Sequence, residues 1–364
     1  MELAPVERGD QLGEPTPVWP EMLIQPVKPP LLAYLDLNHW IGLAKYRTNH
    51  RDGARYQPLF EACVAARQAG NYSFVLSQSL LAEVSNILDP RQRNDIASVI
   101  DELTNFEYLL GRPQIMRHEI QAIVNSKAEK PSNRLPACRL IDFGALHAFG
   151  FDPDFTKSAR EAAGIQGTDP VAKAARRWAE RMILAGPADE ELPDLEANGY
   201  SLRATQDIAE NRAEQERDQA KAFDAAATNW RRGRIRDVIA AREVVIELAE
   251  AVSGELSARG MNLEQVLGPT RDDARAFALG MPSTFVSIEL KTRYHRDPNK
   301  KWVVNDIHDI DALSVAVPYC DLVFTDGAAT NAITAAHLDR TLGTQIPKRI
   351  NDAVALLSAG SSTA

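Results

Sequence analysis

The sequence predicts an α/β fold: a parallel sheet sandwiched by helices, with a large α-helical insertion. Three observations carry this expectation. Short apolar runs of strand length alternate with helix-length segments over residues 31–112 and again over 281–345. The first of them, Leu31–Leu35, stays apolar throughout, as a strand buried on both faces does. Between the two regions, residues 113–280 hold few β-branched runs and much Ala, Arg, Glu and Gln, which reads as helix.

Residues 1–30 contain Pro5, Pro15, Pro17, Pro20, Pro26, Pro29 and Pro30 and read as an N-terminal arm. Leu31–Leu35 is a five-residue apolar run ending at Asp36, too short for a helix and suited to a buried strand. Asn38 is a candidate cap for a helix beginning near His39. Leu59, Phe60, Cys63 and Val64 share one face of a helix near 56–68, which Gly70 can close. Tyr72–Leu76 is a second strand, followed by a helix near 79–88 that carries Glu83. Pro90 breaks the chain before a helix through Ile96, Val99, Ile100 and Leu103, and Phe106–Leu110 is a third strand. The insertion is richest in helix formers over 157–183 and 203–253. Sheet-like signals return at Ser283–Ile288 and Leu322–Phe324, around a helix near 306–317. A small Ala-rich helix follows residue 327, and 346–364 form a C-terminal helix and tail.

Composition narrows the function classes. The chain has 364 residues, with 41 Lys plus Arg against 50 Asp plus Glu and a net charge of −9. That balance argues against coating nucleic acid by bulk charge, while leaving room for a local basic groove or for carboxylates that hold a metal. No apolar run reaches the roughly 20 residues a membrane helix needs. The N-terminus lacks the basic-then-apolar pattern of a signal peptide. Cys63, Cys138 and Cys320 are widely spaced and odd in number, which speaks against a disulfide framework or a Cys-based zinc site. A cytoplasmic protein without a membrane partner is the expectation. There is no Walker pattern, no GxGxxG and no GxSxG, so ATP, NAD and a serine nucleophile lack support.

The acids supply a positive signal. Asp36 and Asp326 each follow a short apolar strand, at the end where open parallel sheets form their ligand crevice. Glu83 borders the Leu80, Val84 and Ile87 stripe, where an acid needs a metal or a partner such as Arg91 or Arg93. In NDIHDIDALSVAVPYCD, Asp306 falls near the packed face and also suits the first turn of a helix. Asp309 and Asp311 lie on opposite flanks of that face, and the helical wheel does not choose between them. Oxygen donors without Cys or a His pair suit Mg²⁺ or Mn²⁺, with Asp36, Glu83, Asp306, Asp309, Asp311 and Asp326 as candidate ligands. Such sites commonly serve phosphodiester hydrolysis.

In YLDLNHW (34–40), AEVSNI (82–87), DIDALSVAVPYCD (309–321) and LVFTD (322–326) the chain resembles the PIN-domain superfamily of metal-dependent nucleases. The resemblance spans about 31–110 and 283–345, and the gap between its second and third acids far exceeds that of compact PIN toxins. It implies a PIN-like, Rossmann-type fold and Mg²⁺- or Mn²⁺-dependent endoribonuclease activity on single-stranded RNA. The catalytic acids would be Asp36, Glu83, Asp309 or Asp311, and Asp326, with Asp311 nearest the family's third acid in context. Asn38 resembles the polar residue that orients the first Asp.

Basic residues supply candidate substrate contacts. Arg231–Arg236 reads as a solvated helix face, whereas Arg293, Arg296, Lys300 and Lys301 could track a phosphate backbone, with Tyr294 and Trp302 available to stack on bases. His39 and His308 flank the acids and read first as structural. The candidate partners are RNA, a second copy of the chain, and an antitoxin or defence-system component. Two other readings stay open: a non-catalytic PIN-like binding module and a flap-type DNA nuclease.

Overall fold

The computed structural model describes residues 16–151, 170–199, 201, 204–226 and 228–359. Pro5, Pro15 and the stretch 157–169 of the insertion lie outside the described residues, as do the side chains of Arg231 and Arg232. The first half runs β1 (Leu23–Ile24), β2 (Leu31–Leu35), α1 (Leu37–Arg47), α2 (Gln57–Gln68), β3 (Tyr72–Val75), α3 (Gln78–Ser85), α4 (Pro90–Leu103), β4 (Glu107–Leu109) and α5 (Arg112–Lys127). Two short strands follow, β5 (Cys138–Arg139) and β6 (Ile141–Phe143), then a largely helical stretch, and β7 (Leu322–Phe324) returns to the sheet.

The central sheet is parallel, with β2 between β3 and β7. Side-chain alternation along these strands builds two cores. Leu32, Tyr34, Val75 and Val323 face one core, with Ile239, Phe285, Ile310 and Leu313. Ala33, Leu35, Phe74, Leu322 and Phe324 face the other, with Trp40, Leu59, Ile100 and Leu357. β2 and β7, buried on both sides, therefore read as unbroken apolar runs, and helices cover both faces. β4 joins the edge through one parallel bridge, Leu76 to Tyr108, and pairs antiparallel with β6.

Local chemistry sets the boundaries. Gly70 closes α2 at φ +72°, a left-handed conformation glycine adopts without steric penalty. Pro90 does not merely interrupt the chain: it starts α4, where its missing N–H is no loss. The helix expected from His39 begins at Leu37, capped by Asp36 and not by Asn38.

Two expectations fail. Ser283–Ile288 is not a strand but part of the helix Pro282–Arg296, in which Pro282 through Thr292 are all buried. A helix buried on every side loses the polar stripe that marks helical period, so its β-branched residues mimic a strand signal. Residues 113–280 are also not wholly helical, since β6 extends the sheet edge from within them. Nor do they stand apart: Ile239 and Phe277 share a core with Leu32 and Tyr34. Among the described residues no helix is long and apolar enough to cross a membrane.

Candidate metal centre

Register gathers the acids. β2 and β7 pair with Leu35 opposite Phe324, and the Asp36 N–H donates to the Phe324 carbonyl at 3.0 Å. The chain therefore leaves both strands at the same sheet edge, with Asp36 on one and Thr325-Asp326 on the other. β3 leads at that edge into α3, whose N-cap Ser77 accepts from the Leu80 N–H. One turn further along α3 stands Glu83. The helix Val304–Tyr319 brings Asp309 to the same place. One carboxylate oxygen each from Asp36, Glu83 and Asp309 lies within 4.8 Å of the others.

These three acids are held in a way that favours a cation. Asp36 is buried, and its Oδ1 accepts from the Leu37 N–H at 2.7 Å. Its Oδ2 accepts from Thr325 Oγ1 at 3.4 Å and Asn38 Nδ2 at 3.5 Å. Burial raises the Asp36 carboxyl, the Leu37 N–H opposes this, and the Asp326 charge adds to the rise. Burial first, then the charges of Asp36 and Asp309, pushes Glu83 up to about 9. Burial, then Asp36, Asp326 and Asp306, pushes Asp309 up to about 8. The salt bridge of Glu83 with Arg91 or Arg93 does not form: Arg93 donates instead to the carbonyls of Ala185, Ile87 and Pro187. Clustered carboxylates of this kind must share protons or a cation to relieve their repulsion. An all-oxygen donor set fits Mg²⁺ or Mn²⁺.

The other expected site residues separate into distinct roles. Asp326 caps the helix Gly327–Ala335 through the Ala329 N–H at 2.7 Å. It stands outside the 4.8 Å group, yet its charge acts on both Asp36 and Asp309. Asp306 sits at the third position of its helix, where Oδ2 accepts from the Val303 N–H at 2.9 Å and Oδ1 pairs with Lys300. Asp311 is not in the cluster at all. It is held by Arg112 at 2.6 Å and by Arg212 at 2.9 Å, and these arginines bring its carboxyl down to about 2 against the penalty of burial. The choice that the helical wheel leaves open thus falls on Asp309.

The basic segment behaves unlike the expected backbone track. Lys300 lies over the Tyr294 ring at 4.6 Å and lowers the neighbouring Asp309. Arg293 and Arg296 close the last turn of their helix, where cations meet its negative end, and their charges act on Glu289. Lys301 is exposed. Trp302 and Tyr294 are buried against each other, so neither presents a free face to a base. Arg236, expected on a solvated face, is paired with Glu289. His39 stacks on Phe324 with ring centres 3.6 Å apart, and its Nε2 lies 3.3 Å from the Thr325 carbonyl.

Sequence reasoning passed over Thr325, Ser77 and Tyr34. Thr325 directly precedes Asp326 and touches Asp36 across the strand pair. Tyr34 is buried beneath the acids, with its hydroxyl 3.2 Å from Ser77 Oγ, and burial followed by the Asp36 and Glu83 charges raises it well above its ordinary value. A tyrosine in an otherwise aliphatic strand was the available signal, since a buried hydroxyl requires a polar partner. Comparison of the chain with family models, with characterised proteins and with solved structures finds no match.

Proposed function

We propose that the protein is a metal-dependent phosphodiester hydrolase of PIN-like type, acting as an endoribonuclease on single-stranded RNA in the cytoplasm. One observation carries this reading: Asp36, Glu83 and Asp309 come from three distant parts of the chain and converge within 4.8 Å. None of them makes an ion pair among the described residues. They would hold Mg²⁺ or Mn²⁺, which when bound neutralises phosphate charge and activates water. Thr325 and the Leu37 N–H orient Asp36. Asp326, fixed by its cap, adds negative potential without entering the group. Lys300, paired with Asp306, has a charge that acts on Asp309 and can meet the substrate's charge at the rim.

The test is incubation of purified protein with single-stranded RNA and Mn²⁺, beside single-stranded and flap DNA. Cleavage that stops with chelator and falls by at least about a hundredfold in Asp36→Asn is expected. Unchanged cleavage in that variant would sink the reading. Preference for flap DNA would redirect it, and binding without turnover would leave a non-catalytic module.

A further inference from the structure

A cavity of about 370 Å³ that the proposed chemistry does not use is lined in part by the two helices that carry Glu83 and Asp309, acids of the metal centre. His308, Asp311 and Val315 line it from the helix that carries Asp309, and Ser79 and Ala82 line it from the helix that carries Glu83. Successive helical residues point about 100° apart, so His308 and Ala82 stand one step round their helices from Asp309 and Glu83, with Asp311 on the flank opposite Asp309.

The cavity's chemistry suits a planar, uncharged heterocycle better than a phosphate. Its two arginines, Arg112 and Arg212, are already committed to Asp311, and Arg112 also lies 3.5 Å from Glu243. The remaining acid at the wall, Glu247, is answered by Arg242 at 3.8 Å. Among the described residues of the wall, each arginine already faces a carboxylate. The apolar part of the wall includes Met116, Val315 and Ile208, and a thioether packs well against an aromatic ring. Residues with polar groups able to read a ring edge line the same space: Gln78, Ser79 and His308. His308 is 7% exposed, and its buried Nε2 has no hydrogen-bond partner among the described residues. A buried polar atom left in that state is costly until something meets it. The volume sits at the small end of ligand pockets, about 300–1,000 Å³, which accommodates one nucleoside.

We infer that this cavity is a nucleobase pocket, seating the base of the nucleotide next to the cleaved phosphodiester and reading it through His308 and Gln78. The substrate part of this inference rests on the nuclease reading; the pocket itself does not. The experiment titrates the four ribonucleosides and their deoxy counterparts into the full-length protein in chelator, followed by NMR or calorimetry. The variants are His308→Ala and Ile208→Trp, the second placing bulk at an exposed rim position.

One base should saturate at least about tenfold more tightly than the others, and each variant should weaken it by about tenfold or more. Absence of saturation by every nucleoside overturns the pocket, as does an affinity unchanged in both variants. Cleavage-site mapping with Mn²⁺ then separates the two claims. A nucleoside that binds to a protein unable to cut RNA keeps the pocket and removes the nuclease reading. Cleavage by a protein that binds no nucleoside does the reverse.

Discussion

Asp309 and Asp311 stand two residues apart on one helix, and the groups facing them drive their protonation in opposite directions. Asp311 faces Arg112 and Arg212, so removing it leaves the half-buried Arg212 without its ion-pair partner and Arg112 with Glu243 at 3.5 Å. Asp311→Ala should destabilise the protein by about 3 kcal/mol in chemical denaturation. Its carboxyl is depressed, so its stabilising effect is complete above the unfolded value near 4 and is lost as pH falls towards about 2. Glu83 and Asp309 behave inversely. Without metal, the folded state keeps protons up to about 9 and about 8 that the unfolded chain releases near 4. Stability in chelator should therefore fall as pH rises through that window and level off above it. Glu83→Gln should remove part of the decline and gain at least about 1 kcal/mol at pH 9 while abolishing cleavage. A variant that loses stability there would contradict the repulsion.

At the scale of elements, the strands and their terminal acids were legible because the constraints on them are local. LLAYL, YSFV and LVF are short, largely apolar and bounded by turn residues; Asp36 directly follows the first, and Asp326 stands two residues past the last. What could not be read is what depends on a partner in space. Pro282–Arg296 hides its helical period by being buried all round. Trp302 sits among charges in sequence, yet packs against Tyr294 and His295 in the fold. Asp309 and Asp311 differ only by what faces them, and Arg212 lies 99 residues from Asp311. Among the elements, α3 deserves a test because its cap is tied to the site. Ser77 caps the helix and touches Tyr34, so Ser77→Ala should lower stability by about 1 kcal/mol and weaken Mn²⁺ binding through Glu83. Lost stability with unchanged Mn²⁺ affinity would show that α3 needs no cap to place Glu83.

For the whole molecule, the sheet joins β2 near the start to β7 near the end of the chain, and the insertion contributes to the cores on both of its faces. Joining residue 112 to residue 281 would expose Leu32, Tyr34 and Val323 to water, at about 25 cal/mol per Å² of apolar surface. That deletion should yield no cooperative thermal transition, whereas the full chain should melt in one. A cooperatively folded deletion product would mean that the insertion is an accessory to an autonomous core.

The central claim is that Asp36, Glu83 and Asp309 hold one divalent cation, and calorimetric titration of Mn²⁺ into the chelator-stripped protein tests it most directly. Wild-type protein should bind Mn²⁺ at a single site with release of protons near neutral pH, because the raised carboxyls must ionise to bind. Asp309→Asn and Glu83→Gln should each remove that binding. Wild-type protein that takes up no Mn²⁺, or variants that bind it as tightly as wild type, would contradict the account.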